Sequence, residues 1–203
     1  EYLFVGELAL DGRLKPVRGV LPIAMMARKA GFRGVVVPAA NAREASLVRE
    51  LDVFALEDLV RVVRLLREPD GVAPCRFDER ELAAPAVYAV DFEDVKGQQH
   101  VKRALEVAAA GGHNVLLVGP PGAGKTMLAR RLPSILPDLS YDEMLEVTRV
   151  YSAAGLLAGQ GTIGARPFRA PHHTVTDAGL VGGGLVPKPG EVSLAHHGLL
   201  FLD

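Results

Sequence analysis

Short apolar runs and longer amphipathic stretches take turns along the first third of the chain. The stretch "FVGELALDGRLKPV" carries two extended runs around Asp11-Gly12, a dipeptide that accepts the positive φ angles of a tight hairpin turn. "GVLPIAMMARKAG" reads as a helix, with Pro22 where a first turn accepts it and Gly31 where the C-terminus wants a residue without Cβ. "GVVVP" reads as a short buried strand, "NAREASLVREL" as a helix and "DVFAL" as a strand. In "EDLVRVVRLLRE" the positions Leu59, Val62, Val63 and Leu66 recur at helical spacing and are predicted to share one face of a helix. Residues 1–67 are thus predicted to form a small α/β module.

The texture changes over residues 68–90, where Pro69, Pro74 and Pro85 interrupt charged and small apolar residues without a sustained period, so a linker is expected. A second unit, residues 91–203, opens with "DFEDVKGQQHVKRALEVAAAGG", in which Val101, Ala104, Leu105 and Ala108 form a helical stripe. An apolar strand is predicted at Val115 to Val118, a helix at Met127 to Leu136, and a buried strand at Leu199 to Leu202.

Composition narrows the picture only a little. Of 203 residues, 49% are hydrophobic and 23% charged, the make-up of a globular chain of one or two domains. The net charge of -1 gives no electrostatic footprint for nucleic acid or an anionic membrane, although a local basic patch can hide inside a neutral total. One cysteine, Cys75, rules out an intramolecular disulfide framework, and no apolar run approaches the roughly 20 residues that span a bilayer. A cytoplasmic protein without membrane contact is therefore expected. The chain starts at Glu1 as though already inside a strand and stops on Asp203, so both ends read as cut and the second unit as truncated after its last strand.

Candidate chemistry is concentrated at "GPPGAGKT". Gly119 to Thr126 fits G-x-x-x-x-G-K-[ST] between a predicted strand and a predicted helix, the setting of a phosphate-binding loop. Its glycines let backbone N–H groups approach phosphate oxygens. Lys125 brings positive charge to the β and γ phosphates, and the Thr126 hydroxyl suits Mg²⁺. Such nucleotide-hydrolysing folds end a second buried strand in a metal-holding aspartate, and "GLLFLD" assigns that place to Asp203. Lys125 and Asp203 are the catalytic candidates, and Thr126 and Asp203 the metal candidates. ATP is expected rather than GTP, because no Asn-Lys-x-Asp element of the guanine-reading kind occurs.

At "DFEDVKGQ", "GHNVLLVGPPGAGKTMLARRLPSILP", "RPFRAPHHTVTDAGLVGGG" and "PGEVSLAHHGLLFLD" the sequence resembles the Mg-chelatase-like AAA+ ATPases of the competence-protein ComM type, nearly without gaps from Asp91 to Asp203. That resemblance implies an α/β P-loop AAA+ core, ATP and Mg²⁺ as cofactors, a homo-hexameric ring, and helicase or branch-migration work on DNA during recombination of transforming DNA. It places Asp94 to Gln98 near the adenine. The implied nucleotide set is then Val95 and Gly97 with Gly119, Pro120, Pro121, Gly122, Ala123, Gly124, Lys125, Thr126 and Met127. It also makes "LVGGGLVPKPGEVSLAHHG" an insertion directed toward the pore of the ring, or else a plain connecting loop.

Gly6 to Asn41 is similar in order and spacing to part of the Lon-type protease domain. That family's dyad lysine lies two residues beyond the position of Gly19, where this chain has Leu21, which cannot accept a proton from serine. The module is therefore expected to dock or assemble, not to cut peptides. Two other functions stay open: a magnesium-chelatase-like ATPase driving metal insertion, and a nucleotide-gated protein-binding scaffold. His172-His173 and His196-His197 are expected to hydrogen-bond rather than bind zinc, since neighbouring side chains diverge and Cys75 is remote in sequence. Arg130-Arg131 are expected on a solvated or interface face, and Cys75 has no evident role.

Overall fold

Three consecutive valines, Val35, Val36 and Val37, are buried, as a parallel strand covered on both faces requires. The computed structural model describes residues 1–77, 86–157, 161–184 and 187–203. In it the strands β1 (Tyr2–Phe4), β4 (Gly34–Pro38) and β5 (Asp52–Leu56) form a parallel sheet in the order β1-β4-β5. Gly34 lies opposite Asp52 and Pro38 opposite Leu56. The predicted hairpin is present as β2 (Glu7–Leu8) paired with β3 (Leu14–Lys15), turning through Gly12 at φ 84°.

Helix α1 spans Val20–Lys29, with Pro22 in its first turn as predicted. The helix predicted over 41–51 is shorter, α2 (Ala42–Ser46), because Leu47 and Val48 fold inward and Glu50 turns the chain at φ 62°. Helix α3 (Leu59–Arg67) is capped by Asp58, whose side chain accepts the Arg61 N–H at 2.8 Å. Its predicted face is corrected. Val62 and Leu65 are the buried pair, packed with Val36, Phe54 and Leu56, while Leu59, Val63 and Leu66 stay exposed. Val62 and Leu65, an i, i+3 pair on one side of the helix, are the positions that the sheet covers.

The described residues divide into two compact units, and the division departs from the split expected from sequence. Glu1–Ala83 is joined in one unit by Met144–Ile163, which sequence reading assigned to the ATPase portion, and the other unit combines Ala84–Glu143 with Gly164–Asp203. The helix Tyr141–Ala154 buries Met144, Leu145, Val147, Thr148 and Ser152. Within the first unit the Ser152 hydroxyl donates to the Glu44 carboxylate, which also accepts the Leu21 N–H at 2.9 Å. Asn41 bridges to the Val17 backbone through both ends of its amide, at 3.1 and 2.9 Å. Periodicity shows which face of a helix is apolar and leaves open what covers it.

The second unit is built on α4 (Gln99–Gly111), α5 (Lys125–Arg131) and a 3₁₀ turn, Leu132–Ile135, that Pro133 imposes on the predicted longer helix. Phe92, Val95, Leu105, Ala109, Leu128 and Leu132 form its core. Ala104 of the predicted stripe is exposed, and Ala109 takes its place. The helix Tyr141–Ala154, α6, begins at a reciprocal cap in which Glu143 accepts the Ser140 N–H at 2.9 Å and Ser140 Oγ accepts the Glu143 N–H at 3.2 Å. Strand β6 (Phe168–Arg169) runs parallel to β9 (Leu199–Leu200). Between them come α7 (Asp177–Val181), the two-residue strands β7 (Gly182–Gly183) and β8 (Lys188–Pro189) paired antiparallel, and α8 (Glu191–Leu194). No helix among the described residues is long and apolar enough to cross a membrane.

The strand predicted at 115–118 is not formed as a paired strand. No described residue makes ladder hydrogen bonds with it, Leu116 and Val118 are 87% and 88% exposed, and only Leu117 packs on the core. Hydrophobicity supplied the sequence signal, whereas a strand also needs a partner for its backbone.

Candidate functional site

The Gly119–Thr126 loop takes its shape from two glycines in the left-handed region, Gly122 at φ 81° and Gly124 at φ 85°. A side chain at either position would strain the turn that delivers the chain into α5 at Lys125. Ala123 N–H closes the turn on the Pro120 carbonyl at 3.2 Å. The Lys125 ammonium arches back over its own loop, donating to the carbonyls of Gly119 at 2.9 Å and Pro120 at 3.1 Å. Its positive charge is therefore held at the loop itself.

One cavity of about 580 Å³ brings the two ends of the predicted site together. Lys125 stands on its wall with Leu116 and Leu117, and Asp203 stands on it with Leu199 and Leu202. Thr126 lies next to Lys125 in the first turn of α5. A hydroxyl, a carboxylate and phosphate oxygens make a hard oxygen donor set, so Thr126 and Asp203 fit Mg²⁺ in chemistry.

Other residues of the expected nucleotide set have different surroundings. Val95 is buried in the core against Leu105 and Leu128 and serves as an anchor for the 91–98 segment. Gly97 at φ 72° has open space where a Cβ would stand. Met127 reaches back toward Gly124, its Cε 3.3 Å from a Cβ placed there. Arg131, expected on a solvated or interface face, is turned inward: Nη1 donates to the Met127 carbonyl at 3.3 Å and Nε lies 3.8 Å from the Asp94 carboxylate. Arg130 is exposed, as expected.

Sequence reading missed Arg166. Its side chain is 11% exposed and donates to the carbonyls of Pro137 at 2.5 Å, Asp138 at 3.3 Å and His197 at 2.7 Å, and to Glu143 Oε2 at 3.2 Å. The bond from Arg166 to the His197 carbonyl secures a residue at φ 52° two positions before β9, the strand that leads to Asp203. Glu143 is held below its ordinary 4.5, first by the Ser140 N–H and then by the charges of Arg166 and His197. Arg169 and Glu191 form a bidentate pair at 2.5 and 2.6 Å that fastens β6 to α8 and lowers the Glu191 pKa. His172 hydrogen-bonds Thr174 through Nδ1 at 2.9 Å.

The family model "Magnesium chelatase, subunit ChlI" matches residues 91–203, more than half of the chain. The chain belongs to the magnesium chelatase ChlI family. A second model of this family, "Subunit ChlI of Mg-chelatase", matches residues 1–41. The chain is similar to an uncharacterised protein of Mycobacterium tuberculosis, with 51% identity over 203 residues covering 99% of this chain and 40% of that protein. It is also similar to competence protein ComM of Haemophilus influenzae, with 43% identity over 205 residues covering 100% of this chain and 40% of ComM. It thus spans about two fifths of the length of the curated relatives it matches. An archaeal Lon protease of Archaeoglobus fulgidus is 38% identical over 54 residues, 27% of this chain and 9% of that protease. As a ChlI-family member, the chain carries its phosphate-loop motif and its terminal aspartate inside the matched 91–203 segment.

Proposed function

We propose that this chain supplies the ATP-binding part of a AAA+ ATPase that works as a hexameric ring on DNA. The observation that carries the reading is the shared cavity. Lys125, on a glycine-shaped loop, and Asp203, at the end of the β9 segment, face the same space. ATP phosphates would lie on the loop, with the Lys125 ammonium exchanging its carbonyl partners for phosphate oxygens. Thr126 and Asp203 would hold Mg²⁺, which when bound offsets the charge on the phosphates. The likeness to ComM, a competence protein, favours DNA as the polymer acted on. The likeness of one stretch to a Lon protease, with Leu21 at the dyad position, favours an amino-terminal module that docks without cutting.

A second reading, an ATPase subunit that drives metal insertion, is favoured by the description of the matching family. Measuring ATP hydrolysis by the full-length protein with and without forked or single-stranded DNA separates the two. Stimulation of severalfold by DNA is expected. Hydrolysis that ignores DNA and instead rises with a tetrapyrrole and its metal would overturn the leading reading.

A further inference from the structure

Gln98 holds a backbone conformation that its side chain disfavours. Its φ of 49° and ψ of 41° are left-handed, directly after Gly97 at φ 72°, and a residue with a Cβ is strained there. Neighbours on both sides are firmly held. Asp91 and Asp94 cap the 92–94 turn reciprocally, the Val95 side chain is sunk in the core, and its carbonyl accepts Lys102 Nζ at 3.2 Å. Helix α4 starts at the next residue. From this anchored position Gln98 Nε2 donates to the Ala123 carbonyl at 3.3 Å. It also stands 3.6 Å from the place of a Cβ on Gly124.

We propose that Gln98 is a positioning residue of the phosphate-binding loop, acting by holding the Ala123–Gly124 peptide in one orientation. The inference rests on the nucleotide reading above. A trans peptide is planar, with its carbonyl and N–H on opposite sides. Holding the Ala123 carbonyl toward Gln98 therefore turns the Gly124 N–H the other way, as a donor for a phosphate oxygen. Glycine at 124 cannot hold this peptide by its own preferences, because it visits both signs of φ readily. The Gln98 bond adds a restraint from outside the loop to the Ala123 N–H bond that closes the turn on Pro120. Lys125 cannot provide it, since its bonds to Gly119 and Pro120 must break when the ammonium turns to phosphate. The Gln98 bond can persist throughout.

An amide this close to the loop could instead read the base, and a base-free probe separates the two roles. ATP and inorganic tripolyphosphate are titrated against the full-length protein and its Gln98→Gly, Gln98→Glu and Lys125→Ala variants, with thermal midpoints recorded alongside. Gln98→Gly removes the amide and the strain together. The expected result is a midpoint equal to or above wild type, with both probes weakened by a common factor of about ten, the scale of one hydrogen bond. Gln98→Glu, which sets a carboxylate against the carbonyl, is expected to weaken both probes further. Loss of ATP affinity alone, no loss for either probe, or a midpoint that falls in step with affinity would each overturn the inference. If the wild type binds neither probe and Lys125→Ala behaves identically, the nucleotide reading fails and this inference with it.

Discussion

Lys125 supplies the single positive side chain of the Gly119–Thr126 loop, and its partners among the described residues are backbone carbonyls of that loop. Lys125→Ala is therefore expected to leave the thermal midpoint within about 2 °C of wild type, as for other surface changes. Triphosphate affinity should fall by about two orders of magnitude, the scale of lost charge-assisted hydrogen bonds. A fluorescent-nucleotide titration beside a melting curve checks both, and retained affinity would contradict the assigned role. Leu21 makes the opposite case. It is 0% exposed, and its N–H is already committed to Glu44, so Leu21→Lys is expected to cost about 3–5 kcal/mol in chemical denaturation without creating peptidase activity. Lys125 was legible because motif spacing reports residue type, and the burial of Leu21 followed from its place in an apolar run. The left-handed backbone of Gln98 was not legible, since side-chain identity argues against it.

Among the elements, β6 and α8 are linked by the ion pair of Arg169 with Glu191. Because the folded-state pKa of Glu191 lies below 4.5, its contribution is present above that value and is lost as pH falls through the lowered one. Glu191→Gln should therefore be less stable than wild type at pH 7, by about 1 kcal/mol or less once solvent screening of the partly exposed pair is allowed for. The difference between the two proteins should close below the carboxylate range, and thermal midpoints from pH 7 to pH 3 test this. A gap that stays constant with pH would remove the pair from the account. Elements with their own local signals were readable from sequence: α1 from its proline and glycine, β4 and β5 from their buried runs. The Ser140–Glu143 cap also had a local signature in "SYDE". Features set by distant partners were not, including the unpaired 115–118 stretch, the docked face of α3, and Arg166, whose side chain donates to described residues in two separate parts of the chain.

At the scale of the whole molecule, the chain leaves the first unit after Ala83 and returns to it for Met144–Ile163 before completing the second. A fragment cut at the apparent linker, residues 91–203, carries Met144, Leu145 and Val147 away from the unit in which they pack. It is expected to bind an environment-sensitive apolar dye and to elute as aggregate, and a fragment of residues 1–83 should melt without a cooperative transition. A sharp unfolding transition in the short fragment, at the midpoint of the intact chain, would show that the returning segment is dispensable. The same path through the two units sets a timetable during synthesis. The Glu44 carboxylate emerges long before Ser152, the hydroxyl that will donate to it. At ribosomal speeds of about 5–20 residues per second, the 60 residues of the intervening Ala84–Glu143 take roughly 3–12 s to make. Through that interval the unit that begins at Glu1 waits without its Met144–Ile163 segment, with apolar surface of the kind chaperones cover.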